Sequence, residues 1–279
     1  MQIRDYSLPA GWFPGSGEEV TAEISRYLSG RNVSPCSRAV ISPHAGWYYC
    51  GHLAALGIAS LERNADTVAV IGGHLPSGSP PLFAMEDAVK TPFGAFPVDA
   101  ELRSLLIDEL SGKEDKYRDN TVEALLPMAR YFFPNARLLW IRFGEDISSF
   151  KAGKTISKTA LKLGRKINVI ASTDLTHYGD NYGFSPKGRG EAALSWVRDV
   201  NDASFIKAVE SAGAEEVLRC ARNDKSACSA GAVLGAMGFA EEEKLGNAHL
   251  LEYATSVDID KKKGAVPGSF VGYAAMAFK

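Results

Sequence analysis

The chain has 279 residues, 46% of them hydrophobic, which is ample for a large buried core and fits one big domain or two ordinary ones. Its formal net charge of −2, with no dense basic block beyond Lys261-Lys262-Lys263, leaves no electrostatic footprint for nucleic acid. No run approaches the roughly 18 apolar residues of a membrane span, the first residues lack the apolar core of a signal peptide, and four irregularly spaced cysteines (Cys36, Cys50, Cys220, Cys228) form no disulfide framework. A soluble protein of a reducing compartment, the cytoplasm, is expected.

In chain order, a turn-rich loop from Pro9 to Gly17 carries Trp12 and Phe13, and Glu18 to Leu28 reads as a helix. Arg38 to Ile41 is a buried strand that runs through Ser42-Pro43-His44-Ala45-Gly46 toward a helix expected over Gly51 to Arg63. Asp66 to Ile71 is a second β-branched run, closing on Gly72-Gly73-His74, and a proline, glycine and serine loop follows. Phe83 to Pro97 looks like a hairpin turning at Phe93-Gly94, with Asp99 capping the next helix. Asp119 to Phe133 is expected as one helix bent at Pro127.

Two further apolar strands, Ala136 to Phe143 and Ile167 to Ser172, flank a helix from Ser148 to Leu163. A helical region spans Gly188 to about Ala221, a small-residue helix covers Ser229 to Glu242, and strands at His249 to Thr255 and Phe270 to Phe278 close the chain. Apolar strands alternating with helices predict an α/β fold, a single domain over residues 1–279, with helices on both faces of the sheet. The hairpin and the closing strands are expected to pair antiparallel, making that sheet mixed.

The candidate chemistry lies at strand ends. His44 and His74 each follow a buried strand, and in an open α/β sheet the carboxyl edge is where ligands bind. Each taken alone is either a site residue or a hydrogen-bonded turn histidine; together they suit a metal, whose first shell needs about three protein ligands. Asp174 and His177, after the Ile167 to Ser172 strand, add an acid and a base at the same edge, with a turn cap and a surface histidine as the plain alternative. Cys228, at a predicted helix start, is either a thiolate favoured by the helix dipole or a packed small residue. Glu123 and Asn120 share a helical face and could bond a ligand or a metal-bound histidine, or simply face water. His52 and His249 read as structural.

These residues sit in stretches that resemble the Memo family, whose microbial members are called protein B of the AmmeMemoRadiSam system. Ala10-Gly11-Trp12-Phe13-Pro14 is similar to its AGxWYP-type start, and Ser42-Pro43-His44-Ala45-Gly46-Trp47-Tyr48-Tyr49-Cys50-Gly51 to its PHAGYxYSG signature. Lys90 to Asp99 resembles its TPLG…VD hairpin, Ser172 to Gly179 its SSDxxHxG stretch, and Leu251 to Ser256 with Val271 to Ala275 its closing strands. Two departures stand out: the family's EHSxExxxxP histidine is Asn120 here, and its GPxH is Gly72-Gly73-His74.

The resemblance implies a fold like that of the class III extradiol ring-cleaving (LigB-like) dioxygenases. It implies a metal on His44, His74 and Cys228, with Fe(II) first and copper or zinc as alternatives. His177, Asp174 and Glu123 would be catalytic, and Trp12, Tyr49 and Asn120 would bind substrate. A thiolate stands where those enzymes have a carboxylate, a softer donor set. The expected function is an iron-dependent, dioxygenase-like oxidoreductase acting on a small, aromatic substrate. Its rivals are a non-catalytic peptide-binding or metal-handling protein and a zinc-dependent hydrolase. The long apolar C-terminal strands would also suit a homo-oligomer interface.

Overall fold

The protein is described here from a computed structural model covering residues 1–259 and 265–279. The lysine run Lys261-Lys262-Lys263 lies outside the described residues. The chain opens with β1 (Ile3–Arg4) and α1 (Gly17–Leu28), then enters β2 (Ala39–Ser42), α2 (Trp47–Ala59) and β3 (Thr67–Leu75). Next come β4 (Leu82–Phe83), the hairpin β5 (Ala88–Thr91) and β6 (Gly94–Pro97), α3 (Ala100–Leu110) and β7 (Lys113–Glu114). The middle of the chain holds α4 (Asn120–Glu123), α5 (Leu126–Phe132), β8 (Arg137–Gly144), α6 (Ser148–Lys162), β9 (Ile167–Ser172) and β10 (His177–Gly179). It finishes with α7 (Glu191–Trp196), a π-helical segment (Val197–Asp202), α8 (Ala203–Glu210), α9 (Ala214–Asp224), α10 (Ala230–Glu242), β11 (Ala248–Thr255), α11 (Ser256–Ile259) and β12 (Ser269–Phe278).

Among the described residues the central sheet has nine strands in the order β10-β12-β2-β9-β3-β8-β4-β7, with β11 also paired to β12. Its middle, β2-β9-β3-β8, is parallel. β12 joins β2 antiparallel and β4 joins β8 antiparallel, so the sheet is mixed as expected. Both faces are apolar because side chains alternate across a strand and helices cover each side. On β3, Ala69 and Ile71 face the core under α6 and α10, while Val68 and Val70 face the core under α1, α2 and α5. β8 repeats the pattern, with Leu139, Ile141 and Phe143 on one face and Leu138 and Trp140 on the other.

Three elements differ from the sequence reading. The helix after His44 begins at Trp47 rather than Gly51, because the Trp12 carbonyl accepts the Trp47 amide proton at 2.8 Å and starts the helix there. It stops at Ala59, where the Ser60 hydroxyl donates back to the Gly57 carbonyl at 2.7 Å. The expected bent helix from Asp119 to Phe133 is two helices broken at Ala124-Leu125; Pro127 sits in the first turn of α5, where a missing amide proton costs nothing. The β5–β6 hairpin stays out of the central sheet. It pairs with β1 in a separate three-stranded sheet, since β4 already occupies the edge of β8 that it would need. No helix among the described residues is long and apolar enough to cross a membrane.

The helix that carries the cysteine end of the candidate site, α10, is pressed directly on α6. A Cβ at Gly153 would overlap the Gly235 carbonyl, and one at Gly238 the Phe150 carbonyl. Both obstacles are backbone, so neither can step aside. Gly153→Ala should therefore destabilise the fold by about 1–3 kcal/mol. Urea denaturation should show this as a lower midpoint at an unchanged slope; an unmoved midpoint would mean that the two helices separate freely.

Candidate metal centre and its cleft

The parallel strands β2, β9, β3 and β8 all deliver their carboxyl ends to one edge, where His44, Thr173 and Asp174, His74 and Glu145 lie at or just past the strand ends. β2 ends at Ser42, and two residues on His44 is buried, 1% exposed. The His44 amide donates to Asp174 Oδ1 at 2.7 Å and the Ala45 amide donates to the same oxygen at 3.3 Å. The His44 ring is fixed from behind by Ser172 Oγ, 2.8 Å from Nδ1, so Nε2 points outward to Cys228 Sγ at 3.4 Å. Burial lowers the His44 pKa, but Asp174 and Cys228 beside it outweigh that and leave it raised.

His74 stands near the end of β3 on a left-handed backbone, φ 56°, a conformation that costs a side-chain-bearing residue about 1 kcal/mol or more. It is exposed at the rim. Its Nδ1 lies 3.0 Å from Asp119 Oδ2, so Nε2 is the nitrogen left to face a ligand. Asp119 is itself held at 2.9 Å by Arg142, which is buried and also bonds Asp115 at 3.1 Å. Burial works against protonation of His74, yet the Asp119 and Cys228 partners push its pKa up to about 10. The two imidazoles meet edge to face with centroids 5.1 Å apart.

Cys228 lies just before Ser229, the N-cap of α10. Its amide donates to the Asp174 carbonyl at 3.2 Å, and the Ser229 amide donates to Thr173 Oγ at 3.2 Å. Burial pushes the thiol up, but His44 and His74 against the sulfur outweigh it and hold the pKa well below the ordinary thiol value. The ligand atoms of His44, His74 and Cys228 all lie within 4.8 Å of one another. Two imidazoles oriented by outer hydrogen bonds, with a thiolate between them, fit a first-row transition ion.

Two hollows adjoin the cluster. One, about 630 Å³, includes His74, Cys228, His177 and Tyr182 in its walls. The other, about 410 Å³, takes in Trp12, Tyr49, Asn120 and Asp174, and it shares His177 and Tyr182 with the first. The structure thus brings together eight of the nine predicted site residues. Asn120 also donates to the His44 carbonyl at 3.4 Å.

Glu123 is the exception. It is buried away from both hollows, and its carboxylate accepts the Ser7 amide, the Leu8 amide and the Ser7 hydroxyl, each at 2.7 Å. With both oxygens occupied it anchors the amino-terminal segment. Asp174 does not bond His177; its carboxylate holds the His44 loop, and His177 Nδ1 instead donates to the Leu175 carbonyl at 3.1 Å. Three residues of chain already turning into β10 carry the two side chains apart.

Residues that the sequence reading passed over also line the site. Tyr273 on β12 and Tyr182 after β10 wall the smaller hollow, and Arg222 and Lys225 line the larger. Tyr273 was visible only as part of an apolar strand, and Arg222 and Lys225 only as charges between two expected helices.

A family model described as Memo-like protein matches residues 4–277. The chain belongs to the Memo-like family. A MEMO1 family protein of Pyrococcus abyssi is 29% identical over 98% of this chain and 99% of its own length. One from Pyrobaculum arsenaticum is 29% identical over 100% of this chain and 99% of its own. Among solved structures, an uncharacterized protein of Escherichia coli K12 covers 87% of this chain and 100% of its own with a TM-score of 0.51; at 11% identity that likeness is one of fold alone.

Under the site lies a buried polar knot. Asp202, fully buried at the end of the π-helical segment, accepts from the Thr176 amide at 3.1 Å, from the Thr176 hydroxyl and from the Tyr253 hydroxyl at 2.7 Å. A Cβ at Gly272 would strike its carboxylate, so only glycine fits on β12 there. Burial pushes the Asp202 pKa up to about 6, against hydrogen bonds that pull the other way. The folded state then binds its proton more tightly than the unfolded chain does. Stability contributed by the protonated form is present below pH 4 and is lost as pH rises through about 6, on the order of 3 kcal/mol. Denaturant titrations from pH 4 to 7 should show that fall in the natural protein and a flatter profile in Asp202→Asn; parallel profiles would rule the assignment out.

Proposed function

We propose that this protein is a metal-dependent oxidoreductase that acts on a small substrate, related in fold to the class III extradiol ring-cleaving dioxygenases, with iron as its metal. One observation carries the reading: two imidazoles and a low-pKa thiol converge within 4.8 Å at the carboxyl edge of the sheet, beside hollows large enough for a substrate. His44, His74 and Cys228 would hold the metal. Bound there, a ferrous ion would supply one-electron chemistry toward dioxygen.

The remaining roles belong to the protein. His177 donates through Nδ1 to a carbonyl, which can only accept, so in its neutral form Nε2 is unprotonated. That nitrogen is suited to take a proton from a substrate hydroxyl and return it later. Asp174 acts through His44 and Cys228, keeping both ligand arms in place. Asn120 is tied to the His44 carbonyl and orients substrate at the entrance, while Trp12, Tyr49 and Tyr273 exclude water. Glu123 has no part in the chemistry.

Anaerobic reconstitution with Fe(II) should load one equivalent. His44→Ala should abolish binding, Cys228→Ser should weaken it at least tenfold, and His177→Gln should leave it intact while removing substrate-dependent oxygen uptake. Full metal affinity in His44→Ala would sink the assignment.

A further inference from the structure

The acceptor that sets the His177 tautomer, the Leu175 carbonyl, belongs to a peptide group that the β10–β12 ladder does not hold. Leu175 and Thr176 together face one residue of β12. The Gly272 carbonyl accepts the Leu175 amide proton at 2.9 Å, and the Gly272 amide donates to the Thr176 carbonyl at 3.0 Å. Two residues opposing one is the pattern of a β-bulge, a feature that re-aims side chains beside active sites. The peptide between Leu175 and Thr176 is left over. Its carbonyl accepts from His177 Nδ1 at 3.1 Å, and its amide donates to Asp202 Oδ1 at 3.1 Å.

A trans peptide is planar, so its carbonyl and its amide point in opposite directions and turning one turns the other. The amide end is enclosed, for Asp202 is fully buried and Asn201 beside it nearly so. Asp202 Oδ1 also takes the Thr176 hydroxyl proton, and that hydroxyl accepts from Asn201 Nδ2 at 2.8 Å. Asn201 donates again, at 2.9 Å, to the carbonyl of Asp224, a few residues before Cys228. Amide, hydroxyl and carbonyl of Thr176 thus all have buried partners. Asn201 and Asp202 close the π-helical segment, a rare form of helix found frequently at functional sites. Burying a carboxylate among hydroxyls and amides is costly, and β12 gives up a side chain at Gly272 to admit this one.

We propose that Asp202 is a positioning residue for His177, acting through the Leu175–Thr176 peptide. By holding the Thr176 amide it aims the Leu175 carbonyl at Nδ1, so Nδ1 keeps the proton and Nε2 is left bare. A carboxylate at the amide end also polarises the peptide and strengthens its carbonyl as an acceptor. An unrestrained neutral imidazole prefers its proton on Nε2, so the arrangement runs against the ring's own preference. Only the use of that bare nitrogen as a base rests on the proposed function; the tautomer and its cause stand on the bonds themselves.

Long-range 1H–15N correlation NMR of the 15N-labelled full chain, metal-free and loaded with diamagnetic Zn(II), reads the tautomer directly. Spectra would be taken at about pH 8, above the ordinary imidazole pKa, with His177→Gln identifying the signal. The natural protein should show His177 as the Nδ1–H tautomer alone. Asp202→Ala should move the larger share to Nε2–H, while Asp202→Asn, which keeps an oxygen for the Thr176 amide, should retain the native form. Thr176→Val should show both tautomers and Thr176→Ser only the native one, and this pair decides the matter if Asp202→Ala does not fold. An Nε2–H tautomer in the natural protein, or an unaltered one in folded Asp202→Ala or in Thr176→Val, would overturn the proposal. So would a change as complete in Asp202→Asn as in Asp202→Ala, or one that comes only with loss of zinc. Failure of the natural protein to load zinc would count against the metal centre alone, because the tautomer is read in the metal-free chain too.

Discussion

The carboxylate and carbonyl of Asp174 are the constraint on which the centre depends. One oxygen of the side chain gathers the His44 and Ala45 amides from the end of β2. The main-chain carbonyl of the same residue gathers the Cys228 amide from the approach to α10. Two ligand arms separated by 184 residues are therefore referenced to one residue at the end of β9. Buried amides need acceptors, and a carboxylate that takes two of them is held in a single orientation. A side chain that looks from its spacing like an acid for catalysis is, by its bonds, the fixture that sets the ligand positions.

His74 is held differently, by a relay of alternating charge. Trp140 donates to Asp115 at 3.0 Å, Asp115 and Asp119 share the buried Arg142, and Asp119 turns the imidazole. Burying a guanidinium is unfavourable unless opposite charge faces it, and here two carboxylates do, while Nε itself makes no hydrogen bond. The relay puts a rigid support behind the most exposed ligand. The centre is stiff at His44, which the sheet encloses, and also stiff at His74, which solvent reaches.

The sheet and the two strand-end histidines were legible because continuous apolar, β-branched runs announce buried parallel strands, and such strands have one functional edge. Cys228 was legible only through the family resemblance, since a cysteine beside alanine and serine looks like packing. Glu123 misled because its helix places it near Asn120 in sequence, while its bonds to Ser7 and Leu8 come from residues more than a hundred positions away. Arg222 and Lys225 were invisible for a related reason. Just past the expected end of a helical region they are ordinary surface charges until α9 is packed against α8 and α10 and the hollow comes to exist. Local pattern reports the periodicity of an element, and it is silent about which distant element will face it.

The place of β12 in the sheet bears on how the protein comes to exist at all. This last strand inserts beside β2, among the first, and it carries both the glycine that admits Asp202 and the Tyr273 wall of the cleft. Its pairing is the longest-range in the sheet, and loop-closure entropy makes such contacts late and slow. On the ribosome, the edge of β2 therefore stays unsatisfied until β12, more than two hundred residues later, has been made. A nascent chain at that stage presents an apolar strand edge, a demand on chaperones that the finished molecule no longer shows.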